Sequence, residues 1–216
     1  MIGNDVVDLK LAVKESAILR KAVLDKIFTR DEKNLILNAA CPFTMAWLCW
    51  SQKEAAYKIV NRLTSYRFYA PQAFESCLTP VTDEFLFASP EFVAWNFYEP
   101  EPGCIFLPGM VQHNKYTYYT KSLIDTEKII TVAAINPDFS TIEHKISGLY
   151  EKLNQQHIIS NFLENTDLEF CKDDRGFPLL KNKLMIDHAA TLSHHGRYIC
   201  MAWEIESKRL IQTEAD

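Results

Sequence analysis

The sequence predicts an α+β protein of two pseudo-symmetric lobes, each with helices packed on a small, mainly antiparallel sheet. Three observations predict it. Apolar residues at helical spacing give way to β-branched and aromatic segments once before residue 136 and again after it. The two passes end on similar apolar strands, Ile129-Ile130-Thr131-Val132-Ala133-Ala134 and Tyr198-Ile199-Cys200-Met201-Ala202-Trp203. Hydrophobic residues make up 48% of the 216, with 13 Phe, 9 Tyr and 4 Trp, which suffices for a core and excludes a disordered chain. The boundary falls near Asn136, giving lobes over 1–136 and, shortened, 137–216.

Residues 2–9 (Ile-Gly-Asn-Asp-Val-Val-Asp-Leu) read as a short buried strand with a carboxylate at its exit. Helical patterning follows, with Leu19, Val23 and Ile27 about one turn apart. Thr29 then reads as an N-cap, with Glu32 in the capping-box position for the next helix. Pro42 precedes a long apolar helix holding Trp47, Trp50, Glu54 and Lys58, for which Thr44 is the expected cap. Beyond Phe68 the segments 84–88, 92–98, 116–120 and 128–135 read as strands between Pro and Gly turns. Asn136-Pro137-Asp138 breaks the pattern, and Ile142, Ile146, Leu149 and Leu153 then form a helical stripe. Strands return at 168–171 and 198–205, on either side of the turn Asp173-Asp174-Arg175-Gly176.

The formal net charge of −5 argues against a protein that coats nucleic acid. Residues 10–33 are a local exception, holding Lys10, Lys14, Arg20, Lys21, Lys26, Arg30 and Lys33 against four acidic residues. They read either as a solvated helix face or as a landing patch for an acidic partner. Six cysteines without C-x-x-C spacing suit free thiols in a reducing compartment better than a zinc site. No basic segment followed by an apolar one marks a leader, and no apolar run would span a bilayer, so the expectation is a cytoplasmic protein without a membrane partner.

The residues that carry chemistry are few. Glu54 and Lys58 lie one turn apart and project from one helix face. A strand-end Asp5 and a helical Glu54 can share one hard cation while Lys58 holds phosphate oxygens. Alone, Asp5 could cap a turn and Glu54 could pair with Lys58 at the surface. Their helix, with Trp47, Trp50, Ala55, Ala56 and Ile59, is too apolar to be wholly exposed, and a partly buried Lys-Glu pair needs further partners. A third cluster, Leu192-Ser193-His194-His195-Gly196-Arg197-Tyr198, gathers a hydroxyl, imidazoles and an Arg before a strand. Adjacent histidines on a strand face opposite ways, which disfavours a zinc pair and leaves one of them to bond a phosphate oxygen.

Together these residues resemble the 4'-phosphopantetheinyl transferase superfamily. Its G-x-D, K-E-x-x-x-K and S-H motifs appear as Gly3-Asn4-Asp5, Lys53-Glu54-Ala55-Ala56-Tyr57-Lys58 and Ser193-His194, supported by Phe28-Thr29 with Glu32 and by Gly176-Phe177-Pro178. The motif order is that of the short holo-acyl-carrier-protein synthases. The two-lobed length, however, resembles the transferases that serve peptide and polyketide synthases, with the lobes swapped in order. The resemblance implies that fold, as a monomer if two-lobed. A single synthase-type unit with a long insertion would instead need a homo-oligomer.

The resemblance implies transfer of 4'-phosphopantetheine from coenzyme A to a serine of an acidic apo acyl or peptidyl carrier protein, releasing 3',5'-ADP. Mg2+, or Mn2+ in its place, would be held by Asp5 and Glu54. Glu54 would serve as general base and Lys58 would stabilise or protonate the leaving phosphate. Lys53, Lys58, Arg175, Pro178, Ser193 and His194 would bind coenzyme A, and Lys10, Arg20 and Lys21 would receive the carrier. Two departures stand out. Val7 occupies the position where two-lobed members carry a second carboxylate, which leaves Asp8, on the opposite strand face, as the optional third ligand. Phe177 stands where many members have a basic residue, so another cation must meet the 3'-phosphate. The rival readings are a catalytically degenerate module that binds coenzyme A or a carrier, and an unrelated magnesium-dependent phosphotransferase, which no nucleotide-binding loop supports.

Overall fold

Two antiparallel sheets of five strands each, stacked face to face, place the ends of the described chain against each other. The structure is a computed structural model describing residues 1–78, 104–148 and 154–205. The expected strands 84–88 and 92–98, and Leu149 and Leu153, lie outside the described residues.

The first sheet runs β1-β5-β4-β3-β2, from β1 (Ile2–Asp8), β2 (Phe74–Leu78), β3 (Ile105–His113), β4 (Tyr116–Ile124) and β5 (Lys128–Ala134). The second runs β6-β10-β9-β8-β7, from β6 (Ile142–Gly148), β7 (Glu169–Lys172), β8 (Pro178–Lys181), β9 (Asp187–His195) and β10 (Tyr198–Glu204). Helices α1 (Leu9–Glu15), α2 (Lys21–Ile27), α3 (Arg30–Asn38) and α4 (Pro42–Thr64) precede β2, and α5 (Gln155–Phe162) precedes β7. Strand alternation sorts the side chains of β1. Gly3, Asp5 and Val7 face α4, whereas Ile2, Asn4, Val6 and Asp8 face the second sheet. Ile2 accordingly packs with Val132, Phe139 and Ala202, and Val6 with Ile130, Tyr198 and Cys200. Ile199, Met201 and Trp203, on the far face of β10, pack against Ile158, Ile159 and Phe162 of α5. The layers are therefore α4, first sheet, second sheet, α5. Among the described residues no helix is long and apolar enough to cross a membrane.

Helix α4 sets the site. Pro42 occupies its first turn, where a missing N–H is harmless, and the N-cap is Cys41 without a side-chain cap. The expected cap Thr44 instead lies inside the first turn, its hydroxyl 3.1 Å from the Cys41 thiol. The helix lies against β1 because Gly3 has no side chain there: a Cβ at that position would fall 2.0 Å from the Ala55 carbonyl oxygen. The capping box at Thr29 and Glu32 forms as the sequence predicts. The stripe through Ile142 and Ile146 is not helical but strand β6, with the helix following at α5. A spacing of four residues is also an even spacing, so it keeps one face of a strand, and pairing with β10 decides between the two.

Candidate active site

Asp5 sits in mid-β1 opposite Thr131. Beneath it, the Ser51 hydroxyl donates to Thr131 Oγ1 at 3.0 Å, and Thr131 and Ser122 hydroxyls meet at 2.9 Å. Glu54 and Lys58 follow Ser51 along the same face of α4. The Lys58 ammonium donates to the Asn4 carbonyl at 2.6 Å and the Leu192 carbonyl at 3.2 Å, tying β1 to β9. Asp5, Glu54 and Lys58 thus meet where the two sheets and α4 converge.

Burial governs the electrostatics of this trio. It raises the pKa of Asp5 above the usual carboxylate value, with Lys58 and Ser51 pulling it back. Burial, and then repulsion from Asp5, push Glu54 up to about 7. Burial also lowers Lys58, against the pull of both carboxylates. One ammonium that already serves two carbonyls does not neutralise two carboxylates. Among the described residues no group of three or more His, Cys, Asp and Glu forms a metal cluster. Two carboxylates are a donor set that suits a hydrated Mg2+ completing its shell with water and phosphate oxygens.

A basic line continues along α4. Arg62, only 6% exposed, donates to the carbonyls of Pro178 and Ala190. Arg175 reaches the Arg62 carbonyl at 3.0 Å and the Ser65 hydroxyl at 3.1 Å. Both guanidinium groups lie on the Phe177 ring, at 5.4 and 5.2 Å. The chain thus holds cations beside the position where it lacks a basic residue. Arg62 went unread in the sequence, although it lies one turn beyond Lys58 and a helical tally would have found it.

The other expected site residues divide. Ser193 is brought to the junction: it is buried on the face toward the first sheet, and its hydroxyl has no partner among the described residues. His194 is not; it points to the other face and is exposed. The imidazole at the junction is His195, whose Nδ1 accepts the Asp8 backbone N–H at 2.8 Å and whose ring lies 6.0 Å from Trp47. That bond leaves the proton of the neutral ring on Nε2. The ring borders a cleft of about 430 Å³ with Trp47, Trp50, Ile18 and Ile27.

Lys53 is a correction. Its ammonium is fully buried, pairs with Glu32 at 2.5 Å and donates to the Ile27 and Pro71 carbonyls, so it has no access to coenzyme A. One residue along a helix is a rotation of about 100°, which turns Lys53 away from Glu54. Asp8 is a second correction. Its carboxylate caps α1 through the N–H groups of Lys10 and Leu11 and takes the Arg197 backbone N–H and guanidinium at 2.8 to 2.9 Å. Arg197 holds its pKa well below the usual range. These bonds, on the face away from Asp5, leave it a brace between lobes rather than a metal ligand. Of the docking residues, Lys10 pairs with Glu127 and Lys21 with Asp25, while Arg20 is exposed without an ion pair among the described residues.

Fold and site define a class: an α+β protein of two stacked sheets with a buried carboxylate pair and a lysine at their junction. The family model of the 4'-phosphopantetheinyl transferase superfamily matches residues 1–103, the stretch that supplies Asp5, Glu54 and Lys58. No curated protein matches the chain.

Proposed function

We propose that this protein transfers the 4'-phosphopantetheine arm of coenzyme A to a serine of an acidic apo carrier protein, giving the holo-carrier and 3',5'-ADP. The observation that carries the reading is the Asp5–Glu54 pair beside Lys58, inside the segment matched to the superfamily. Asp5 and Glu54 would hold Mg2+, which when bound would offset the charge of the coenzyme A pyrophosphate. Glu54, on the helix face beside Asp5, would accept the proton of the carrier serine. Lys58, fixed by two carbonyls, presents its positive charge to the departing phosphate. Ser193 offers the same phosphates a hydroxyl without a partner among the described residues, and Arg62, further along α4, with Arg175 from the β7–β8 turn beside it, supplies positive charge for the 3'-phosphate. Both sheets belong to one chain, so a monomer would suffice. Arg20, the exposed N-cap residue of α2, would meet the carrier.

Incubation with coenzyme A, Mg2+ and a panel of apo carrier proteins, read by intact mass, tests the proposal. A phosphopantetheine mass gain on at least one carrier, lost on chelation of the metal, is the expected result. Coenzyme A binding without any carrier gaining mass would leave a binding module and overturn transfer.

A further inference from the structure

Tyr69 follows α4 in a segment that carries no motif, yet its ring is held firmly. It packs 4.5 Å from Tyr57, 5.6 Å from Trp50 and 5.8 Å from Phe74. Trp50 and Tyr57 lie one turn before and one turn after Glu54, so the ring spans the helix face from which Glu54 projects. Its hydroxyl is buried and has no hydrogen-bond partner among the described residues. An orphaned buried hydroxyl costs stability and calls for a reason. Burial, and then the charges of Glu54 and Asp5, hold its pKa above the ordinary phenol value, which keeps the group a donor. Tyr57 is the contrast, since its hydroxyl donates to the Arg67 carbonyl at 2.8 Å.

We propose that the Tyr69 hydroxyl is a further substrate-contacting group, donating a hydrogen bond to a phosphate oxygen of coenzyme A held beside Glu54. The inference rests on the functional reading above and extends it to a residue outside the three motifs. The phenol keeps its proton throughout; no covalent bond to Tyr69 forms or breaks. Its bond to the phosphate strengthens as negative charge grows there during transfer, so the contribution falls on turnover more than on ground-state binding.

Tyr69→Phe removes one oxygen and keeps the ring packing. The expected result is a kcat lowered by about 10- to 100-fold, coenzyme A affinity by calorimetry in Mg2+ changed by less than about threefold, and a Tm equal to or above wild type, because an unpaired hydroxyl is gone. Tyr57→Phe gives the reverse: a lower Tm with turnover kept within about twofold of wild type. If wild type modifies a carrier and Tyr69→Phe does so equally fast, the inference falls while the functional reading stands. A loss confined to KM, or one accompanied by a lower Tm, also overturns it. Failure of wild type on every carrier overturns the functional reading and this inference with it.

Discussion

The two faces of α4 carry the same kinds of charge and meet burial in opposite ways. Toward α3, Lys53 and Glu32 are 0% and 1% exposed, and both charged groups find protein partners. Glu32 takes Lys53, the Ser76 N–H at 2.6 Å and the Thr29 N–H at 2.8 Å. Toward β1, the next residue, Glu54, faces another carboxylate across one shared ammonium. A buried ion pair completed from within is architecture; buried charge left incomplete is capacity to bind. The lesson concerns motif reading. Consecutive letters of one motif, Lys53 and Glu54, serve opposite ends.

Single substitutions should give opposite signs on the two faces. The largest effect is expected from Glu54→Gln, which should lower turnover by about 10²- to 10⁴-fold while raising the stability of metal-free protein at pH 8 by about 1–3 kcal/mol, since a charge whose pKa burial lifts to about 7 is removed. Steady-state rates with chemical denaturation of the same samples check both halves. Lys53→Met should do the reverse and destabilise by about 3–5 kcal/mol, because Glu32 is left as an unpaired buried charge. Adding Glu32→Gln to it should restore part of the loss, and denaturation midpoints of the three variants measure this.

The lobe brace comes next. Asp8 has its pKa held below 3.8 by Arg197, so its contribution is present above about pH 4 and is lost as pH falls through the folded-state value. Arg197→Met should lower Tm at pH 7 and flatten the acid limb of the stability curve, with the two variants' Tm values converging at low pH. The smallest effect is expected from Arg20→Glu: a severalfold rise in carrier KM that shrinks with added salt, at unchanged coenzyme A affinity. Carrier titrations at two ionic strengths check it.

Local chemistry made much of this legible. Strand β1, the Thr29–Glu32 capping box and the Glu54–Lys58 face of α4 depend on residues within a turn or two of each other, so the sequence displays them. What stayed hidden depends on register or on distant partners. The burial of Lys53 needs Glu32, twenty-one positions earlier, delivered by the packing of α3 on α4. The choice of His195 over His194 as the junction imidazole follows from the pairing of β9 with β10, in which Ser193 faces Cys200 and His194 faces Ile199. Ile142 and Ile146 fit a helix or a strand until β10 supplies a partner. Tyr69 could not be read at all, because only the fold packs its ring against Trp50 and Tyr57, on either side of Glu54 along α4.

The pairing of β1 has a consequence for how the molecule forms. Ile2 hydrogen-bonds beside Ala134, and Asp8 is fastened to Arg197, 189 positions away. Contacts of such sequence separation close late, because a long loop must be ordered before they reward it. On the ribosome, Ile2, Val6 and Val7 remain an unpaired, apolar edge until residues 128–134 emerge, and the brace waits longer still. The strand that bears Asp5 is thus the part of the nascent chain most exposed to wrong pairing, and its completion reports that both lobes have folded.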